Sequence, residues 1–542
     1  MALTLYRNGS VYSAADPLAS AMLVDGNTVA WVGGEHAATS VYDSSMRLVD
    51  LRGALITPGF VDSHVHLTET GVALESLDLG AAKSLQALLE QVAGAVRSPG
   101  VLLGFGWDET AWPEGRPPTA EELDRAGSGA EIYLARVDVH SAVVSSSLAR
   151  RLELPGLPGW RPDGVVTGEA HRIVRDAVRD FDSATRERYQ TAALRAAAAS
   201  GHVAVAEMAI PGAGALADLG RLMQRSASEP GYPEVLPYWA QAISSAEQGR
   251  EVLRELAEHG VRPRGLGGDL NVDGSIGSRT ARLRAEYADL PGHRGTLSLD
   301  EERIAEHLAA CSELGLSGGF HIIGDAGMDA AVAGLRRAAE TVGAAAVRAA
   351  GHRFEHAEMI DQAAIAALAE FSVTASLQPA FDALWGGPGG LYEARLGAGR
   401  SGRMNPVAEL FAAGVPVCLG SDSPVTPFDP WAGVKACLAH HQPAQRISAR
   451  AAFLGYSRAG WRAAKEQDPM IGQLVPGAPA SFAVWQVDEL MVQVADERVQ
   501  SWSTDPRSRT PLLPALDTEN APQCLLTVHR GEELYAAAEA DF

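Results

Sequence analysis

Two histidines stand two residues apart in Asp62-Ser63-His64-Val65-His66, at the end of an apolar run that begins at Leu55. Side chains alternate along a strand, so both rings project to the same side, as a chelating pair must. Three further apolar runs end in similar residues: Gly319-Phe320-His321-Ile322, Arg353-Phe354-Glu355-His356-Ala357 and Cys418-Leu419-Gly420-Ser421-Asp422. Four imidazoles with one carboxylate suit zinc or another borderline divalent metal, whereas calcium and magnesium prefer all-oxygen shells. His64, His66, His321, His356 and Asp422 are therefore the candidate metal ligands. Each has a plainer reading, a core or exposed histidine, or for Asp422 a helix cap in the Ser421-Asp422-Ser423-Pro424 turn.

These residues meet only if the strands that carry them converge. Leu55 to Asp62 reads as a buried parallel strand. Beyond it, helical stretches (Ser84 to Val96, Thr185 to Ala199, Leu299 to Leu314, Ala326 to Val342) alternate with short apolar runs (Ile132 to Val137, His202 to Ala206, Gly319 to Ile323, Val373 to Leu377, Pro416 to Leu419). That alternation predicts an α/β chain with a parallel sheet, either a (β/α)8 TIM-type barrel or a doubly wound fold. In the barrel, strand ends converge on one face, which is where active sites sit. Residues 1–57 read as short strands and Gly-containing turns, the first part of a small β-sandwich. The span 58–465 reads as the barrel, with a Pro-, Gly- and Trp-rich insertion at about 103–184. Residues 466–542 include a turn-plus-strand pattern at 472–488 that would complete the sandwich from the other chain end.

The 542 residues carry a formal charge of −22. That balance argues against a nucleic-acid partner, which calls for a basic face. Four scattered cysteines without a CxxC pair suggest neither a disulfide framework nor a zinc knuckle. Met1 to Ser10 lacks the pattern of an export signal, and no run reaches the length of a membrane span, so a cytoplasmic protein with no membrane partner is expected. Gly318-Gly319-Phe320 with Gly324 has no phosphate-loop spacing, and no Gly-x-Ser-x-Gly stands in a strand-turn-helix setting.

The chain resembles the amidohydrolase superfamily, and more closely its YtcJ-like branch, which includes N-substituted formamide deformylases. The likeness runs almost end to end. It is carried by residues 55–66, Gly104-Phe105-Gly106-Trp107-Asp108-Glu109, Val272-Asp273-Gly274-Ser275-Ile276-Gly277-Ser278-Arg279-Thr280-Ala281, His321-Ile322-Ile323-Gly324-Asp325, Arg353-Phe354-Glu355-His356-Ala357 and Gly420-Ser421-Asp422-Ser423-Pro424-Val425. The resemblance implies a (β/α)8 barrel with a β-sandwich from both chain ends, a metal-activated water as nucleophile, and Asp422 as general base. It also places His140 near the active site, as a contact to substrate or oxyanion or as a structural histidine. Asp273 and Arg279, in the glycine-bearing loop, read as substrate contacts or an ion-paired scaffold. Trp107 and Trp385 read as pocket lining or packing. Many relatives place in the fourth strand a Lys whose carbamate bridges two metals, but here that strand reads Gly268 to Asp273, with Asp269 at the aligned position. Asp is much shorter, so one ion is preferred over two; Glu207, at the end of a third strand, and Glu169 are other carboxylates for the role. Relatives often dimerise, so a homodimer is an open expectation.

The expected activity is hydrolysis of a C–N bond in a small-molecule amide, N-formyl group or cyclic amide. The alternatives are a non-catalytic metal-binding barrel, or a metal-dependent lyase, isomerase or decarboxylase on the same fold.

Overall fold

The computed structural model describes residues 3–538 apart from 97–99, 213, 494–501 and 504–510. Eight strands form one parallel sheet in sequence order: β1 (Phe60–Val65), β2 (His202–Ala209), β3 (Glu234–Trp239), β4 (Gly265–Leu266), β5 (Ser317–Ile322), β6 (Arg353–His356), β7 (Thr374–Leu377) and β8 (Val417–Leu419). The two ends of the sheet meet beyond β8. Asp422 N donates to His64 O at 2.9 Å, His66 N donates to Ser423 O at 2.9 Å, and the buried Asp62 carboxylate accepts Ser421 N at 2.9 Å. The barrel is thus nearly closed, and the seam runs beside the His64-Val65-His66 pair.

Alternation sorts the strand residues. Phe320 and Ile322 of β5 and Phe354 of β6 face outward and join Leu308, Leu335 and Leu368 of the surrounding helices in one apolar cluster. The intervening His321, Arg353 and Glu355 are left for the barrel interior. Two expectations need correction here. The third strand is Glu234–Trp239, which sequence patterning passes over because Pro237 interrupts the run. Glu207 consequently lies in the second strand.

The run Leu55 to Asp62 is also two strands rather than one. Leu55–Pro58 pairs with Phe482–Gln486, and the barrel starts at Phe60. The first piece belongs to a sheet ordered Ser10–Val11, Leu55–Pro58, Phe482–Gln486, Gln523–His529, Glu532–Ala536, made from both chain ends. A second sheet holds Leu3–Arg7, Ala21–Asp25, Thr28–Gly33 and Arg47–Asp50. Tyr6, Met22 and Val49 of one sheet and Ile56, Phe482 and Val528 of the other share an apolar cluster. Parts of the expected C-terminal region, 494–501, 504–510 and 539–542, lie outside the described residues.

Between β1 and β2 the chain first forms α1 (Leu67–Glu75), then a five-stranded sheet of its own. That sheet begins at Leu77–Asp78, earlier than 103, and includes Ile132–Arg136, which is therefore not a barrel strand. The insertion closes with α2 (Gly168–Val178). Among the described residues no helix is long and apolar enough to cross a membrane.

The fourth strand has the most consequential local structure. β4 pairs Leu266 with Gly318, and pairing resumes at Asn271 opposite His321, so the four residues 267–270 on one strand face the two residues 319–320 on the other. The extra length is absorbed at Gly267 and Gly268, with φ of +102° and +69°. A Cβ at Gly267 would lie 2.1 Å from the Gly319 carbonyl oxygen. Only glycine fits there without strain. Gly267→Ala is expected to cost about 1–3 kcal/mol of stability. It should also displace Asp269, lowering both the melting temperature and the metal content of purified protein. A variant that melts and loads like the parent would refute this account of the bulge.

Candidate metal centre

Six ligand-type side chains gather at the carboxyl-terminal mouth of the barrel. His64 lies in β1, with His66 just beyond it; Asp269 follows β4; His321 and His356 lie in β5 and β6; and Asp422 follows β8. Their donor atoms form three overlapping groups, each within 4.8 Å: His64, His66 and Asp269; His64, His356 and Asp422; Asp269, His321 and His356. Asp269 is central. Its Oδ1 lies 3.1 Å from His321 Nδ1, 3.6 Å from His356 Nε2 and 3.8 Å from His64 Nε2, and its Oδ2 lies 3.4 Å from His66 Nε2. Asp422 Oδ1 is 3.4 Å from His64 Nε2 and 3.5 Å from His66 Nε2. The structure brings the five candidate ligands together in one cluster, and the backbone bulge, rather than side-chain length, lets the short Asp269 reach its centre.

The donor chemistry fits a divalent ion. His64 Nε2 is buried without a hydrogen-bond partner and faces two carboxylates, a costly arrangement unless something positive lies between them. For His64, His356 and His321 a second ring nitrogen is already committed, which fixes the orientation of those three rings. His64 Nδ1 pairs with Glu355 Oε2 at 2.8 Å, His356 Nδ1 with Gln378 Oε1 at 2.8 Å, and His321 Nε2 with Gly274 O at 3.2 Å. Glu355 is in turn held by Arg353, whose Nη2 also donates to Ser63 O at 2.7 Å and Ser376 Oγ at 3.0 Å. Sequence reading names His356 in Arg353-Phe354-Glu355-His356 and gives Glu355 no role. Alternation would send His356 outward with Phe354; its φ of +70° turns it in.

Burial by itself would lower the pKa of His66, but the Asp422 and Asp269 carboxylates outweigh it and raise it to about 9. For His321 burial is likewise outweighed by Asp269, again to about 9. Asp269, despite its burial, is held well below the ordinary carboxylate range by His321 and His356. His140 behaves in the opposite way: burial, then the nearby charge of His321, lowers it to about 4, so at neutral pH it is an uncharged imidazole. Its ring centroid is 5.0 Å from that of His321.

The remaining candidates lie elsewhere. Arg279 pairs with Asp289 (Nη2–Oδ2 2.6 Å), as a scaffold would. Asp273 is saturated by backbone N–H groups, from Ile323 at 3.0 Å and from Gly324 and Arg282 at 2.8 Å. Trp107 is buried in the insertion and donates Nε1–H to Leu134 O at 2.9 Å. Glu207 accepts from Leu67 N at 2.7 Å, behind His66. Glu169 is exposed on the first turn of α2. None of these five belongs to the ligand groups. Trp385, in contrast, joins Phe381 and Tyr392 around a cavity that His140, His321, His356 and Asp422 also line.

The amidohydrolase family profile matches residues 47–535. The chain belongs to this family. Over 461 residues this amidohydrolase is 24% identical to YtcJ of Bacillus subtilis (strain 168), covering 80% of this chain and 83% of YtcJ. A 161-residue stretch, 29% of each chain, is 27% identical to N-substituted formamide deformylase of Arthrobacter pascens. The crystal structure of an uncharacterized metal-dependent hydrolase from Pyrococcus furiosus aligns with a TM-score of 0.67 at 26% identity, over 89% of this chain and 98% of that one.

In the metal-free amidohydrolase, folded His66 and His321 keep their protons to about pH 9, whereas unfolded imidazoles release them near pH 6.5. Their stabilising contribution is therefore complete below pH 6.5 and is lost as pH rises through 9. Thermal melts of apoprotein should fall across that window, and zinc addition at pH 7.5 should release protons measurable with an indicator dye. A flat melting profile from pH 6.5 to 9 combined with proton-free zinc uptake would contradict these assignments.

Proposed function

We propose that this amidohydrolase cleaves a carbon–nitrogen bond in a small-molecule amide, N-formyl group or cyclic amide, with zinc held by His64, His66, His321, His356 and the two aspartates. The two ligand groups that share Asp269 favour a pair of ions over the single ion expected from side-chain length alone. Zinc so held supplies Lewis acidity, which polarises a carbonyl and lowers the pKa of water.

One observation carries the rest. Asp422 both contacts the imidazoles of His64 and His66 and faces the cavity beside them, so its carboxylate is the base that lies within reach of substrate and ligands together. Burial would raise its pKa, but His64 and then His66 hold it below the ordinary carboxylate value, keeping it ionised. In this role Asp422 takes a proton from water and returns it to the leaving nitrogen. His140, neutral and over His321, can donate a hydrogen bond to the carbonyl oxygen as negative charge develops there. Phe381, Trp385 and Tyr392 exclude water from the apolar arm of the substrate. The two terminal sheets, which share one apolar cluster, are read as the β-sandwich expected from both chain ends.

The test is a screen of N-acyl and N-formyl amines against zinc-loaded protein, repeated on Asp422→Asn with metal content measured in parallel. At full metal occupancy the variant should lose at least about 100-fold in kcat, the lower range for a general base. Undiminished hydrolysis by a fully loaded variant would remove Asp422 from this role.

A further inference from the structure

A second cavity reaches the same centre and has a different character. His66, His140 and Asp269 form its barrel side, and Arg172, Arg175 and Arg179 form its insertion side. Arg172 and Arg175 lie on α2 and Arg179 follows its last turn. Spacings of three and four residues put all three on one helical face. In a chain of net charge −22, a cationic wall opposite a metal centre stands out.

The carboxylates nearby leave part of this wall uncommitted. Glu69 pairs with Arg179 at 2.5 Å, yet the buried Arg179 Nε has no hydrogen-bond partner. Arg172 is paired across the surface with Asp176 at 3.3 Å. Arg175 meets Asp176 only at 3.8 Å, beyond hydrogen-bond distance, and that aspartate is 57% exposed. Asp273, also in this cavity, is occupied by three backbone N–H groups. His171 beside the arginines is held uncharged, first by burial and then by Arg175 and Arg179 themselves. Arg175, whose guanidinium has no carboxylate within hydrogen-bond distance, thus lines a cavity whose other wall is the metal centre, with Arg179 beside it.

We infer that Arg175, aided by Arg179, receives a carboxylate carried by the substrate, so that the amide cleaved is an N-acyl amino acid rather than a neutral N-acyl amine. This rests on the C–N hydrolysis proposed above and adds a substrate class to it. A planar guanidinium matches a carboxylate in a bidentate fork, which Lys cannot reproduce.

The experiment compares N-formyl and N-acetyl amino acids with their carboxamides on zinc-loaded protein, and measures binding of the acids to metal-free protein by calorimetry. Parent protein should favour acid over carboxamide by about 10- to 100-fold in kcat/KM, the worth of one charge-assisted hydrogen bond. Arg175→Gln should collapse that ratio toward one and weaken acid binding to the metal-free chain by a similar factor, with Arg175→Lys between the two. An acid-to-carboxamide ratio near one in the parent, or a ratio and an acid affinity unchanged by Arg175→Gln, would overturn the inference. If no amide is cleaved but acid binding still depends on Arg175, the anion site stands and the hydrolytic reading falls.

Discussion

Asp269 sits among four imidazoles at the mouth of a nearly closed barrel, with ring nitrogens 3.1 to 3.8 Å from its carboxylate. Placing ionised groups out of water costs several kcal/mol each unless opposite charge accompanies them. The surrounding structure meets this demand in two ways that exclude each other. Protons on His66 and His321 balance the carboxylates in the apoprotein, and a divalent ion among the same atoms would displace them. His64 Nε2, buried and without a hydrogen bond, faces Asp422 and Asp269 in the middle of this cluster. The Arg353–Glu355 pair and Gln378 hold the rings in place either way, because they bond nitrogens that face away from the cluster.

The clustering of these side chains is legible in the sequence because strand periodicity is local: His64, His66 and His321 each end an apolar run, and alternation gives their direction. Asp269 is singled out only by alignment of the fourth strand, and side-chain length alone does not give its reach, which depends on the backbone. Gly267 and Gly268 displace the chain, an effect that periodicity does not register. Pro237 concealed the third strand for the same reason, since its exclusion from central strands is a tendency that the β2–β3–β4 register here overrides.

Arg279, Asp273 and Trp107 show where sequence reading stops. Each is of a residue type that binds ligands, and each is spent on a partner that spacing cannot identify. Arg279 and Arg395 both hold Asp289, while Arg395 also reaches Glu109 of the insertion at 2.5 Å and Arg136 binds the same Glu109 at 3.0 Å. Ser275 and Ser278 of the glycine-bearing loop donate to Asp138 at 2.7 and 2.8 Å. A Cβ at Gly277 would come within 2.3 Å of Arg136 Nη1. The motif around Asp273 and Arg279 is therefore a docking surface: it clamps the insertion to the barrel through a chain of ion pairs that is buried at Arg136, Glu109 and Arg395 and reaches the surface at Asp289.

That clamp links the two halves of the site. Asp138, held by Ser275 and Ser278, precedes by two residues the His140 that lies over His321, so the loop sets where an uncharged imidazole meets the metal ligands. The insertion also brings α2 and its arginines to the other side of the same opening. Barrel strands fix the candidate ligands within a frame whose register tolerates little change, because a one-residue slip would turn the rings of His64 and His321 outward. The insertion is anchored by charged contacts rather than by the barrel's hydrogen-bond register. Its lining can therefore change without disturbing the candidate ligand cluster, so a strand pattern that reveals the cluster in the sequence carries no information about the far wall of the opening.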